Sequence, residues 1–166
     1  MEIFLAVLVS YIMGSIPFGY ILTKIFLKKD IREIGSGNIG ATNALRTGNK
    51  SIAYLTLTLD VLKAVIPLLF IKINYPDLIH VSALSIFIGH VFPIWMKFKG
   101  GKGVATYVGI LFCLSLNLGI LFIFVVSIYG IFFRVLGIDL FRLKKQKSSY
   151  WLEIDNIKQS TLSKQY

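Results

Sequence analysis

Two stretches of the 166-residue sequence concentrate residue types that suit an anionic ligand. The first runs from Asp30 to Arg46 and places Gly35, Gly37 and Gly40 among Ser36, Asn38, Thr42 and Asn43. Glycines free the backbone to turn several N–H groups toward one point, and the neutral side chains add donors. Arg46 supplies a planar, two-pronged cation matched to phosphate or carboxylate oxygens. An ordinary turn with a capping Ser or Asn explains one or two of these residues but not their density. The second stretch is Lys97-Phe98-Lys99-Gly100-Gly101-Lys102-Gly103, followed at once by an apolar run from Val104. Glycines leading into a helix start leave backbone N–H groups and the positive dipole end facing an anion, and Lys102 adds a mobile charge. Lys97 taken alone reads equally well as a topology signal. The stretch is not a Walker A loop: it lacks the upstream glycine and the Ser or Thr after the lysine.

Other chemistry-bearing residues are sparse. His90 stands near the end of an apolar segment, placed to act as a hydrogen-bond donor or proton carrier at the interface, or to pack as a satisfied core histidine. His80 lies about 15 Å away along a helix, too far to share a ligand, and reads as structural. No metal cluster is expected, and no cofactor. Asp60 and Lys63 fall on one helical face and can neutralise each other as a buried pair; lining for a polar site or a proton path is the alternative. The single cysteine, Cys113, excludes a disulfide framework and reads as packing. No Ser or Cys is recommended as a nucleophile by its neighbours. The His-to-Asp spacing used by many glycerolipid acyltransferases is missing as well: Trp95 and Ser85 stand where that pattern needs Asp.

The elements that must position these loops are apolar helices. The hydrophobic share is 55% and the mean hydropathy +0.73, well above what a soluble core of this length needs. Windows from Ile3 to Leu27, Ser51 to Ile73 and Leu78 to Met96 approach the ~20 residues needed to cross a bilayer. The uncharged run from Val104 to Phe133 is too long for one span across ~30 Å of hydrocarbon, so a turn near Asn117 and Gly119 is expected to split it. An all-α membrane protein of about five spans follows, with Gly14-Ser15-Ile16-Pro17-Phe18-Gly19 giving close packing and a kink in the first. The net charge of +10 divides into clusters after the first, third and fifth spans, which places those ends in the cytoplasm and the N-terminus outside. The charge thus reads as topology, with no nucleic acid as partner, and the apolar start reads as a retained span. One membrane domain, 1–136, precedes a polar, basic cytoplasmic tail, 137–166.

These residues resemble the PlsY family of bacterial acyl-phosphate:glycerol-3-phosphate acyltransferases. The resemblance is carried by Gly14-Ser15-Ile16-Pro17-Phe18-Gly19-Tyr20, by Asp30-Ile31-Arg32 with the Gly35 to Arg46 stretch, and by Gly89-His90-Val91-Phe92-Pro93 running into the Lys97 to Thr106 stretch. It covers residues 1–110 closely and the next 25 loosely; after Arg134 nothing matches the family's third cytoplasmic motif. The resemblance implies acyl transfer from acyl phosphate to glycerol 3-phosphate at the bacterial inner membrane, giving lysophosphatidic acid without metal or acyl-enzyme. It also implies that Ser36, Gly37, Asn38, Thr42, Asn43, Arg46, His90 and Lys97 serve the substrates. Gly100, Gly101, Lys102 and Gly103 would form the loop for the glycerol 3-phosphate phosphate. Two other readings stand beside it: a non-enzymatic relative that binds anionic lipid precursors, and a small anion or lipid transporter. Membrane lipids are partners in each reading, and the sequence leaves the oligomeric state open.

Overall fold

The computed structural model describes residues 1–136, and the basic tail lies outside them. Among the described residues every regular element is helical: α1 (Glu2–Gly14), α2 (Phe18–Leu27), α3 (Ala41–Leu45), α4 (Lys50–Asn74), α5 (Ile79–Val91), α6 (Val104–Leu114) and α7 (Leu116–Val135), with short 3-10 turns between some of them. Four helical stretches are long and apolar enough to cross a bilayer: Glu2–Phe26, Lys50–Asn74, Pro76–Met96 and Leu116–Val135.

The first span breaks where its small residues and proline stand, α1 ending at Gly14 and α2 beginning after Pro17. Close packing has a direct cause here. A Cβ at Gly14 would overlap the Ile86 carbonyl, and one at Gly89 would overlap the Tyr11 carbonyl, so α1 and α5 touch backbone to backbone.

The run from Val104 turns earlier than expected. The reversal falls at Ser115, in an extended conformation of φ −156° and ψ 129°, and not at Asn117 or Gly119. Gly119 instead lets α7 lie against the Phe112 ring, where a Cβ would come within 2.6 Å, and Tyr107 meets Phe122 edge-to-face at 5.2 Å. The two helices therefore form an antiparallel hairpin. Its first arm, α6, has only 11 residues, about 16 Å, roughly half the hydrocarbon thickness. Among the described residues, four helical stretches are thus long enough to cross and the fifth apolar helix, α6, is about half that length.

The shortfall has a structural reason. Thr106, in the first turn of α6, bonds the Asp60 carbonyl halfway along α4, while Lys72 near the far end of α4 donates to the Cys113 carbonyl at 2.6 Å. α6 thus runs beside the second half of α4 only. The segment before it, carrying the second glycine stretch, is recessed to the level of Asp60.

Candidate functional site

The first glycine loop is built around one side chain. Asn43 is 2% exposed; its two amide hydrogens are shared among the carbonyls of Ile31, Ile34 and Asn38, which lie 2.8–2.9 Å from the nitrogen. Its oxygen accepts from the Ser36 N–H at 3.0 Å. Burying an amide is tolerable only when its donors and acceptor are matched in this way. Asn38 adds a local turn by accepting from the Gly40 N–H. The apolar residues in the same segment anchor it from below: Ile31 and Ile39 are buried in a cluster with Leu22, Ala44, Ile52 and Met96. Gly35 and Gly37 take positive φ, 55° and 69°, and a Cβ at Gly35 would strike Asn43 and the Arg46 side chain. The Arg46 side chain therefore packs against Gly35.

At the loop's outer edge Arg32 grips Asp30 with two prongs, the closest contact 2.6 Å, and stacks over the Tyr20 ring at 5.0 Å. That guanidinium, by hydrogen bonding, holds the Asp30 carboxyl down at about 2.

The second loop is held from outside itself. After α5 ends, Gly100 and Gly101 turn back so that their N–H groups donate to the carbonyls of Val91 and His90, at 3.0 and 3.1 Å. These are the carbonyls a helix C-terminus otherwise leaves unpaired. Lys97 and Phe98 pass through positive φ, 52° and 61°, and Gly103 through 81°. The N–H groups of Gly100 and Gly101, expected from the sequence to face an anion, are thereby occupied. Those of Lys102, Gly103 and Val104, at the N-terminus of α6, have no backbone partner among the described residues. They are the free donors of this loop.

The two loops meet in an open cleft lined by Asp30, Arg32, Glu33, Ser36, Gly37 and Asn38 from the first and by Lys99 and Gly100 from the second. Of the residues read from the sequence as a site, Ser36, Gly37, Asn38 and Gly100 line this cleft. Asn43, His90, Gly101 and Gly103 are buried and Arg46 is half-buried. Thr42, Lys97 and Lys102 are exposed. Lys99 and Arg32, which were not read as site residues, line the cleft as well. Both stand inside stretches already singled out, but only the folded turn at Lys97 and Phe98 decides which lysine faces the first loop.

Directly beneath the second loop is a buried polar cluster. Asp60 and Lys63 form an ion pair of 2.7 Å, with both side chains nearly inaccessible. Lys63 also donates to the Ile16 carbonyl at 2.9 Å, within the break between α1 and α2. His90 Nδ1 lies 3.1 Å from the Thr106 hydroxyl and 3.9 Å from the Asp60 carboxylate. The two roles left open for Asp60 and Lys63 thus narrow geometrically: they face the bundle and touch the loop's support. Among the described residues no group of three or more His, Cys, Asp and Glu side chains could hold a metal ion.

Apolar helices long enough to cross a bilayer, carrying at one end a cleft of glycines, neutral donors and cations, define a helical integral membrane protein with a polar cleft. The glycerol-3-phosphate acyltransferase family matches residues 4–139, and the chain belongs to that family. It is 70% identical over 123 residues to a glycerol-3-phosphate acyltransferase of Pelagibacter ubique, covering 74% of this chain and 64% of the relative. It is 55% identical over 114 residues to one of Bartonella henselae, covering 66% and 53%. The chain therefore spans between half and two-thirds of the length of these relatives. The fold is similar to the crystal structure of PlsY (YgiH), an integral membrane glycerol 3-phosphate acyltransferase, in its glycerol 3-phosphate form: TM-score 0.70 and 39% identity, over 80% of this chain and 66% of that one. The lysophosphatidic acid form matches with TM-score 0.66 and 35% identity, over 73% and 61%.

Proposed function

We propose that this chain transfers a fatty acyl group from an acyl phosphate to the sn-1 hydroxyl of glycerol 3-phosphate, giving lysophosphatidic acid and inorganic phosphate. The observation that carries the reading is the convergence of the two glycine loops on one cleft, with Ser36, Gly37 and Asn38 facing Lys99 and Gly100. Two substrates that each carry a phosphate need two anion subsites within bonding distance of each other. In this reading the first loop holds the acyl phosphate, while the free N–H groups of Lys102, Gly103 and Val104, with the Lys102 ammonium, hold the glycerol 3-phosphate phosphate.

The reaction forms an ester C–O bond and breaks the acyl C–O bond to phosphate. The hydroxyl proton leaves to a phosphate oxygen of the substrate itself, which removes the need for a protein base. Donors already aimed at the site stabilise the charge that develops on the departing phosphate. The acyl chain lies among the apolar helices. In this reading the face meets the cytoplasm of a bacterial inner membrane that the chain crosses several times, which the basic clusters support.

The test is lysophosphatidic acid formation by the purified protein from palmitoyl phosphate and labelled glycerol 3-phosphate. Turnover that falls by about two orders of magnitude in Ser36→Ala and Lys102→Ala, the effect of removing one catalytic donor, supports the reading. Folded protein that binds glycerol 3-phosphate without product supports the non-enzymatic binding relative instead, and passage of glycerol 3-phosphate into sealed vesicles without chemistry supports a transporter.

A further inference from the structure

We propose that His90, as its Nδ1–H tautomer, is the positioning residue of the second loop, seating Gly100 and Gly101 so that the N–H groups at the start of α6 face a phosphate monoester. The inference rests on the function proposed above and adds to it a residue that touches no substrate.

The tautomer is assigned by proton counting. Thr106 has one hydroxyl proton, and it donates to the Asp60 carbonyl at 3.1 Å. The same oxygen lies 3.1 Å from His90 Nδ1, so the hydrogen between them belongs to the ring. The Asp60 carboxylate at 3.9 Å favours the same arrangement. Nε2, on the far edge of the ring, is left facing Gly101: a Cβ added to Gly101 would overlap Nε2. The ring thus sets the height of the loop, and the His90 and Val91 carbonyls strap it down through the Gly101 and Gly100 N–H groups.

The rest of the cluster fixes the ring itself. Asp60 is pinned by Lys63 at 2.7 Å, and Lys63 by the Ile16 carbonyl at 2.9 Å. The chain of contacts runs from the α1–α2 break through α4 and α6 to α5 and ends on Gly101. An ion pair so well buried is an expensive way to hold a fold; its place under the loop gives it a use.

Asn and Gln separate this role from a proton carrier. The amide nitrogen of Asn falls near Nδ1 of His and can keep the Thr106 bond; that of Gln falls near Nε2 and cannot. The experiment measures the KM for glycerol 3-phosphate, the KM for palmitoyl phosphate and kcat in His90→Asn, His90→Gln and Thr106→Val, with thermal unfolding in parallel. His90→Asn keeps the Thr106 bond but loses the ring edge against Gly101, and is expected to raise the glycerol 3-phosphate KM less than the other two. His90→Gln and Thr106→Val are expected to raise the glycerol 3-phosphate KM about tenfold, the equivalent of one lost hydrogen bond, with the palmitoyl phosphate KM unmoved. Loss of kcat in Asn with retention in Gln overturns the proposal in favour of proton transfer through Nε2. Equal changes in both KM values that track the unfolding temperature overturn it in favour of a structural role only.

Amide hydrogen exchange of residues 99–104 reads the loop without turnover. Faster exchange in His90→Gln and Thr106→Val than in wild type, with His90→Asn between them, supports positioning; equal exchange in all four overturns it. A wild type with no turnover therefore defeats the acyltransferase reading while exchange still decides this one.

Discussion

The two glycine loops look alike in sequence and are held in opposite ways. The first organises itself: Asn43, inside the loop, bonds to it through both ends of its amide, and Ile31 and Ile39 bury themselves beneath it. The second has no side chain of its own that folds back on it. Its shape comes from the end of α5, from the His90 ring and from the Phe87 ring, against which a Cβ at Gly103 would come within 2.5 Å. A loop held by local bonds survives changes elsewhere, whereas a loop seated on a tertiary shelf inherits every change in that shelf.

Four substitutions or conditions can break this contrast. The largest effect is expected for Lys63→Met, which strands the Asp60 charge in the core at a cost of about 3–5 kcal/mol. Thermal unfolding in detergent checks it, and Lys63→Met with Asp60→Leu is expected to recover much of the loss, because the pair is then replaced by apolar contacts. Hydrogen exchange in the folded fraction should quicken at residues 99–104 and leave 31–40 as they were.

Asn43→Ala should do the reverse. It leaves buried carbonyls and the Ser36 N–H without partners, at about 1–3 kcal/mol for a stranded group. Exchange should rise across 31–40 and stay low across 99–104; an equal rise in both would mean the loops are one cooperative unit. Gly103→Ala comes next, at about 1–2 kcal/mol for forcing a side chain into left-handed backbone, with the glycerol 3-phosphate KM rising and the first loop unaffected.

The smallest effect is pH-dependent. Asp30 titrates at about 2 when folded, below its unfolded value near 3.9. A depressed carboxyl contributes stability that is present above the unfolded value and is lost as pH falls toward the folded one. The first loop should therefore loosen between about pH 4 and 2, and Asp30→Asn should remove that part of the pH dependence while exchange in the second loop stays flat.

The spans, the break at Gly14 to Pro17 and the density of anion-suited residues were legible in the sequence because each depends on local chemistry. Twenty apolar residues need a bilayer whatever their neighbours are, and clustered glycines permit a turn wherever they stand. Less was legible where a neighbour in space decides. Nothing near Ser115 marks it as the reversal in preference to Asn117 or Gly119. Gly119 was read as turn-forming when its use is to admit the Phe112 ring. Asn43 was read as a candidate ligand because an Asn in a glycine loop suits an anion. That its amide would close the loop on itself depends on where the Ile31, Ile34 and Asn38 carbonyls come to rest.

The sequence by itself determined a helical membrane protein with two polar loops, since hydropathy, proline and glycine act over a few residues; its family was legible through the resemblance of its motifs. Only the tertiary structure decided that α6 is half-length, that Lys99 and not Lys97 lines the cleft, and that Asp60, Lys63, His90 and Thr106 stand together beneath Gly101. Those four residues come from three helices, up to 46 positions apart in sequence for a single hydrogen bond. Such a meeting is set by how helices cross, and helix crossing depends on the packing of whole faces that no short stretch of sequence contains.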